Sequence, residues 1–168
     1  EILIKPTPPS PQVSNNSPIC EGQTIELMSD EVQDATYAWT GPGGFTSSDQ
    51  NPTIVLATPS DGGSYCLIVT VDGCESISVC TEVEVKPTPA SPVVNNSGPV
   101  CEGETLALSA TSITDASYSW TGPNGFVSAD QNPSIVNASP TDNGSYCLIV
   151  SIDGCESVEV CTEVIILP

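Results

Sequence analysis

The chain has 168 residues with two Lys or Arg, 21 Asp or Glu and no His, a formal charge of -19. A surface this acidic repels nucleic acid and anionic membrane, and its self-repulsion is screened beyond about 8 Å in physiological salt. Eight cysteines (20, 66, 74, 80, 101, 147, 155 and 161) come without CxxC spacing or histidine, which favours disulfides in an oxidising compartment over a zinc site.

The leading residues EILIKP (1–6) match EVEVKP (82–87) and EVIILP (163–168) at a spacing of 81. The same shift superimposes the whole chain on itself without a gap, carrying Cys20 onto Cys101, Trp39 onto Trp120, Tyr65 onto Tyr146 and Cys80 onto Cys161. The chain is therefore expected to be a window on a longer array. Residues 1–5 would close a preceding repeat, 6–86 form repeat 1, 87–167 form repeat 2, and 168 begins another. No signal peptide and no apolar run of 18 residues occurs, so membrane insertion is not expected in this segment and any export signal would lie outside it.

The joints KPTPPSP (5–11) and KPTPASP (86–92) carry proline at alternate positions. They read as semi-rigid spacers of about 20 Å, or as protection for a first edge strand. Next come period-two runs: Ile25 and Leu27; Tyr37 and Trp39; Ile54 and Leu56; Tyr65, Leu67, Val69 and Val71; Ile77, Val79, Val83 and Val85. These read as short strands facing one core, separated by turn chemistry in GPGG (41–44), DQNP (49–52), TPSDGG (58–63) and DG (72–73). No stretch has a helical face. A unit near 80 residues buries only about 60–65% of its unfolded surface, so disulfides are expected to supplement the core.

EGQTIEL, TYAW and SDGGSY resemble strands B, C and F of an immunoglobulin-like domain, over nearly all of both units. More narrowly, ICEGQTIEL, YAWTGPGGF, NPTI, GSY and GCES resemble the immunoglobulin-like and PKD-type tandem repeats of large secreted surface proteins, adhesins and filaments, of gliding and marine Bacteroidetes. The resemblance implies an all-β chain of two tandem β-sandwich domains of about seven strands each, with Trp39, Tyr65, Trp120 and Tyr146 in the cores. It also implies an extracellular, cell-surface or appendage location. The usual inter-sheet cysteines are missing, their positions falling at Ser29 and Leu67.

Alternation supplies another bridge. With Tyr65 and Leu67 inward, Cys66 faces out. The following strand is expected to hold Ile77, Val79, Val83 and Val85 inward and Ser76, Ser78, Cys80 and Glu82 outward. A three-residue loop, 72–74, would pair 71 with 75 and 66 with 80, so Cys66 meets Cys80, and Cys147 meets Cys161, on the outer face of a hairpin. Within the immunoglobulin winding, Cys20 lies where the chain leaves a unit and Cys74 where it comes in, about 20 Å apart, too far for a disulfide. An inter-repeat bridge from Cys20 to Cys155 is one expectation, leaving Cys74 and Cys101 to adjoining units. The alternative is Cys20 with Cys74 and Cys101 with Cys155, which requires a different first strand.

Acidic positions recur in both units, in the first at Glu21, Asp34, Asp49, Asp61, Asp72, Glu75 and Glu82. Calcium suits such oxygens, but they are scattered over separate turns without an EF-hand run. No cofactor is expected, and calcium is the one metal their chemistry leaves open. Asp61 is read as shaping the corner that holds Tyr65, and Asp72 as shaping the hairpin. With no histidine base and both lysines in the joints, no enzyme is expected. Two functions remain. One is a stalk, spacer or polymer segment whose partners are neighbouring repeats or other copies in a filament. The other is a glycan- or protein-binding adhesion module using Phe45, Asp49, Gln50 and Asn51, and Phe126, Asp130, Gln131 and Asn132, in the recurrent GPxGF…DQNP loops.

Overall fold

A computed structural model describes residues 6–168; the strand expected over 1–5 lies outside the described residues. The chain divides into two compact units after Pro87. Strands β1 (Val13–Asn15), β2 (Ile19–Cys20), β3 (Ile25–Ser29), β4 (Thr36–Thr40), β5 (Thr46–Ser47) and β6 (Thr53–Ile54) build the first part of unit 1. It is completed by β7 (Gly63–Val71), β8 (Cys74–Glu75), β9 (Val79–Val83) and β10 (Val85–Lys86). Unit 2 repeats the order from β11 (Val94–Asn96) to β20 (Ile166–Leu167).

Each unit is a sandwich. One sheet has the order β1-β3-β6, and the other runs β5-β4-β7 with β8 and β9 both on the far side of β7. After β1 the chain passes through the cis Ser17–Pro18 bond and β2 pairs parallel with β10, Cys20 opposite Lys86. The first strand is thus divided between both sheets, and Asn15 ties it down by donating from Nδ2 to Thr81 Oγ1 (2.7 Å) and the Glu82 carbonyl (2.8 Å). Asn96 repeats this with Thr162 and Glu163.

The inward residues of both sheets, Ile25, Leu27, Trp39, Tyr65, Leu67 and Val69, are at most 1% exposed. Burying each aliphatic or aromatic side chain contributes about 1.5–3 kcal/mol. Leu106, Leu108, Trp120, Tyr146, Leu148 and Val150 do the same in unit 2. This is the all-β, two-domain immunoglobulin-like architecture.

The last hairpin departs from the expected register. Asp72 and Gly73 both have positive φ (52° and 80°), the two-residue turn that Asp-Gly favours. Val71 therefore faces Cys74 and Thr70 faces Glu75, not 71 with 75. Further along, Cys66 faces Cys80. The odd residue is absorbed between β8 and β9 as a bulge. Its consequence is an inversion: Ser76 is 8% exposed, whereas Ile77, expected inside, is 72% exposed. Ser76 goes in because its Oγ accepts the Val69 amide (3.1 Å) and donates to the Ile77 carbonyl (3.0 Å), capping backbone that the bulge has unpaired. Ser157 and Val158 repeat the inversion.

Candidate functional site

The recurrent GPxGF…DQNP loop leaves β4, forms a tight turn at Pro42–Gly44 and returns through β5. In unit 1 Gly43 sits at φ 63° within that turn, and unit 2 places Asn124 there at φ 55°, Asn being the non-glycine residue that tolerates this region best. Phe45 packs edge-on against Tyr65, ring centroids 5.5 Å apart, and Phe126 against Tyr146 at 5.3 Å.

The polar residues of the loop turn back into the protein. Gln50 donates from Nε2 to the Ser29 carbonyl (2.9 Å), while Asn51 Oδ1 accepts the Ser29 amide (2.9 Å). The Gln50 carbonyl accepts the Trp39 indole N–H (3.2 Å). Gln131 and Asn132 make the same pair of bonds to Ala110 at 2.7 and 3.0 Å, and Trp120 donates to the Gln131 carbonyl. Gln and Asn thus extend β3 by imitating one more strand residue, satisfying backbone at its end. The loop also joins the two sheets through the tryptophan.

Asp49 and Asp130 remain exposed, their amides donating to Ser47 and Ser128 Oγ (3.1 Å each). An open groove of about 620 Å³ beside β4 and β5 is lined by residues 37–40 and 46–48; Phe45, Asp49, Gln50 and Asn51 are not part of it.

The corner before β7 is built by Asp61. Its carboxylate accepts the Thr58 amide (2.8 Å) and hydroxyl (2.7 Å), and these bonds hold its pKa below the usual carboxylate value. Its carbonyl accepts the Tyr65 hydroxyl (2.7 Å). Burial, and then the Asp61 charge, push the Tyr65 phenol up. Asp142, Ser139 and Tyr146 reproduce the arrangement.

Among the described residues, the one cluster of metal-type donors is Cys147, Glu159 and Cys161. Its two sulfurs are bonded to each other, which leaves no thiolate to coordinate. Of the recurring acidic residues, Asp61 builds the corner before β7 and Asp72 stands in the Asp-Gly turn, whereas Glu75 lies on β8 and Glu82 on β9.

Cys66 is bonded to Cys80 and Cys147 to Cys161, each 14 residues apart, on the outer face of the β7 hairpin and its counterpart. Cys20 and Cys155 are also disulfide-bonded, whereas Cys74 and Cys101 are free thiols. The alternative pairing of Cys20 with Cys74 and Cys101 with Cys155 is therefore corrected. Its physical obstacle lies within the unit: Cys20 sits beside Lys86 near the start of β7, and Cys74 faces Val71 at the other end. The nine residues of β7 span about 26 Å at 3.3 Å per step.

Two residues outside the sequence-level site candidates prove important here, Gly41, which reads as turn chemistry, and Ser76, which reads as outward-facing. Gly41 lies against the Tyr65 ring, and Ser76 seals the bulge. Their sole signal is recurrence as Gly122 and Ser157.

No protein-family model and no curated protein matches the chain. Among solved structures, the extracellular domains 3–5 of Drosophila OTK superpose with a TM-score of 0.58 at 14% identity, covering 96% of this chain and 63% of that one. The chain thus spans less than two thirds of that structure's length. Murine CEACAM1b matches at a TM-score of 0.47 and 14% identity, covering 92% of this chain and 100% of its own. At such identity the likeness to the OTK domains establishes the fold alone: two immunoglobulin-like β-sandwich domains in tandem.

Proposed function

We propose that the chain is a repeat segment of a long extracellular bacterial surface adhesin or filament, a disulfide-stabilised stalk, spacer or polymer building block. The observation that carries this reading is the fate of the recurrent loop. Gln50, Asn51, Gln131 and Asn132 spend their side chains on Ser29 and Ala110 of their own units, and Phe45 and Phe126 pack on internal tyrosines. What repeats is what builds the unit. The rival reading, a glycan- or protein-binding module, is left with the exposed Asp49, whose carboxylate accepts the Ser47 hydroxyl at 3.5 Å, and the exposed Asp130 in that loop.

An extracellular place is supported by the oxidised cysteines and by a fold shared with extracellular domains such as those of OTK. In this reading, repeats 6–86 and 87–167 adjoin further copies of themselves, and Cys20 with Cys155 is the inter-repeat staple. It agrees with both residues being oxidised while Cys74 and Cys101 are not.

The test is electron microscopy of native cells labelled with antibody raised against this chain. Extended, evenly beaded threads are expected. Label confined to compact particles or thread tips would overturn the proposal in favour of a binding module.

A further inference from the structure

The two disulfide hairpins differ in one outward residue. In unit 2, Cys147 stands on β17 (Gly144–Ile152) and faces Cys161 on β19 (Val160–Val164). Glu159 lies two residues before Cys161, so alternation sends both side chains outward, and both are exposed. Unit 1 has Ser78 where unit 2 has Glu159. The surroundings otherwise match: Ser64 Oγ lies 3.8 Å from Cys66 Sγ and Ser145 Oγ 3.7 Å from Cys147 Sγ, and Thr40 and Thr121 stand opposite those cysteines on the neighbouring strand.

A carboxylate oxygen of Glu159 and the sulfurs of Cys147 and Cys161 lie within 4.8 Å of one another. No hydrogen bond engages that carboxylate among the described residues. While the sulfurs are bonded to each other the cluster is closed to a cation; once they part, it is a set of three donors.

We propose that reduction of the Cys147–Cys161 bridge opens a site for a zinc-class divalent cation, held by both thiolates and the Glu159 carboxylate with water in the fourth position. Zinc accepts sulfur at about 2.3 Å and carboxylate oxygen at about 2.0–2.2 Å in a tetrahedron, and thiolates select it over calcium and magnesium. The ladder from Gly144 opposite Val164 to Leu148 opposite Val160 is made by backbone, so it holds the donors together whether or not the sulfurs are joined. A cation also offsets the repulsion among two thiolates and a carboxylate, in a chain whose charge of -19 draws cations to it.

The electrons come from a small thiol such as glutathione. Its thiolate attacks the exposed Cys161 sulfur, expelling the half-buried Cys147 thiolate and leaving Cys161 in a mixed disulfide. A second glutathione thiolate attacks the glutathione sulfur of that disulfide, releasing the Cys161 thiolate and glutathione disulfide. Two glutathione thiols lose two electrons, the two protein sulfurs gain them, and both thiol protons go to solvent as the cation takes the thiolates. Because zinc binds the reduced hairpin alone, it draws the equilibrium toward reduction. Once the site is saturated, each tenfold rise in free zinc raises the reduced-to-oxidised ratio tenfold, which is about 30 mV.

The experiment equilibrates the chain in glutathione buffers over a series of free zinc concentrations fixed by a chelator. Samples are quenched with acid, alkylated and mapped by peptide, giving the ratio for each bridge separately. The Cys147–Cys161 ratio should begin to rise at a zinc concentration at least about tenfold below that for Cys66–Cys80, since even a residue that only supports a metal's ligands is worth about 10–100-fold in affinity. Glu159→Gln should erase that offset, and Ser78→Glu should confer it on unit 1. Both positions are exposed, and the wild-type comparison is internal to one chain, so the result does not hang on the variants folding. An equal response of the two hairpins, no response of either, or an offset that survives Glu159→Gln would overturn the site. None of these outcomes bears on the stalk reading, which the micrographs decide.

Discussion

Replacing Gly41 with Ala tests whether the tyrosine corner is as rigid as its contacts imply. The backbone there is extended, φ -165° and ψ -171°, so alanine meets no conformational objection. Its Cβ, however, would lie 2.4 and 2.5 Å from Tyr65 Cδ1 and Cε1, against about 3.5–4.0 Å for an ordinary carbon contact. The ring has little freedom to yield, being 0% exposed, anchored to the Asp61 carbonyl at 2.7 Å and flanked by Phe45. Overpacking costs about 1–3 kcal/mol. A lost hydrogen bond adds about 1 kcal/mol, and a disturbed aromatic pair about 0.5–1.5 kcal/mol. A total near 3 kcal/mol corresponds to a fall in Tm of roughly 15 °C for a unit of this size. Thermal melts followed by tryptophan fluorescence, with disulfides intact, measure it, and Gly122→Ala should repeat it in unit 2, where the same contacts are 2.5 and 2.6 Å. In a double-mutant cycle, Tyr65→Phe should relieve about 1 kcal/mol of the Gly41→Ala penalty by releasing the anchor. A Gly41→Ala shift under about 3 °C would refute the locked corner.

Other substitutions probe the remaining features. Ser76→Ala removes the acceptor of the buried Val69 amide and should lower stability by about 1–3 kcal/mol in urea unfolding, with Ser76→Thr recovering part of the loss. The double change Gln50→Ala with Asn51→Ala strips both bonds from Ser29 and should cost about 1–2 kcal/mol in the same assay; no loss would return the loop to the list of binding candidates. The Asp61 carboxyl is more acidic folded than unfolded, so its contribution is fully present above the unfolded value near 3.9 and is lost as pH falls through the folded one. The Tm gap between wild type and Asp61→Asn should accordingly be open at neutral pH and close below about pH 4; a gap independent of pH would contradict the assignment.

The sequence by itself determined the all-β class, because alternation and turn chemistry are local properties readable residue by residue. Period two along 65–71 is sufficient to send Tyr65, Leu67 and Val69 to one face and Cys66 to the other. The shift of 81 likewise makes two equivalent units. Tertiary structure decided what depends on a partner distant in sequence. Ile77 has the pattern of a core residue, yet a two-residue turn at Asp72 and Gly73 leaves one residue to spare. The bulge that absorbs it turns Ser76 inward to serve the Val69 amide. Gln50 and Asn51 look like ligand-binding groups until Ser29, over twenty residues earlier, is seen between them. Gly41 looks like turn chemistry until the Tyr65 ring is placed over it. In each case a hydrogen bond or contact is set by which strands pack together, and alternation within one strand carries no record of that.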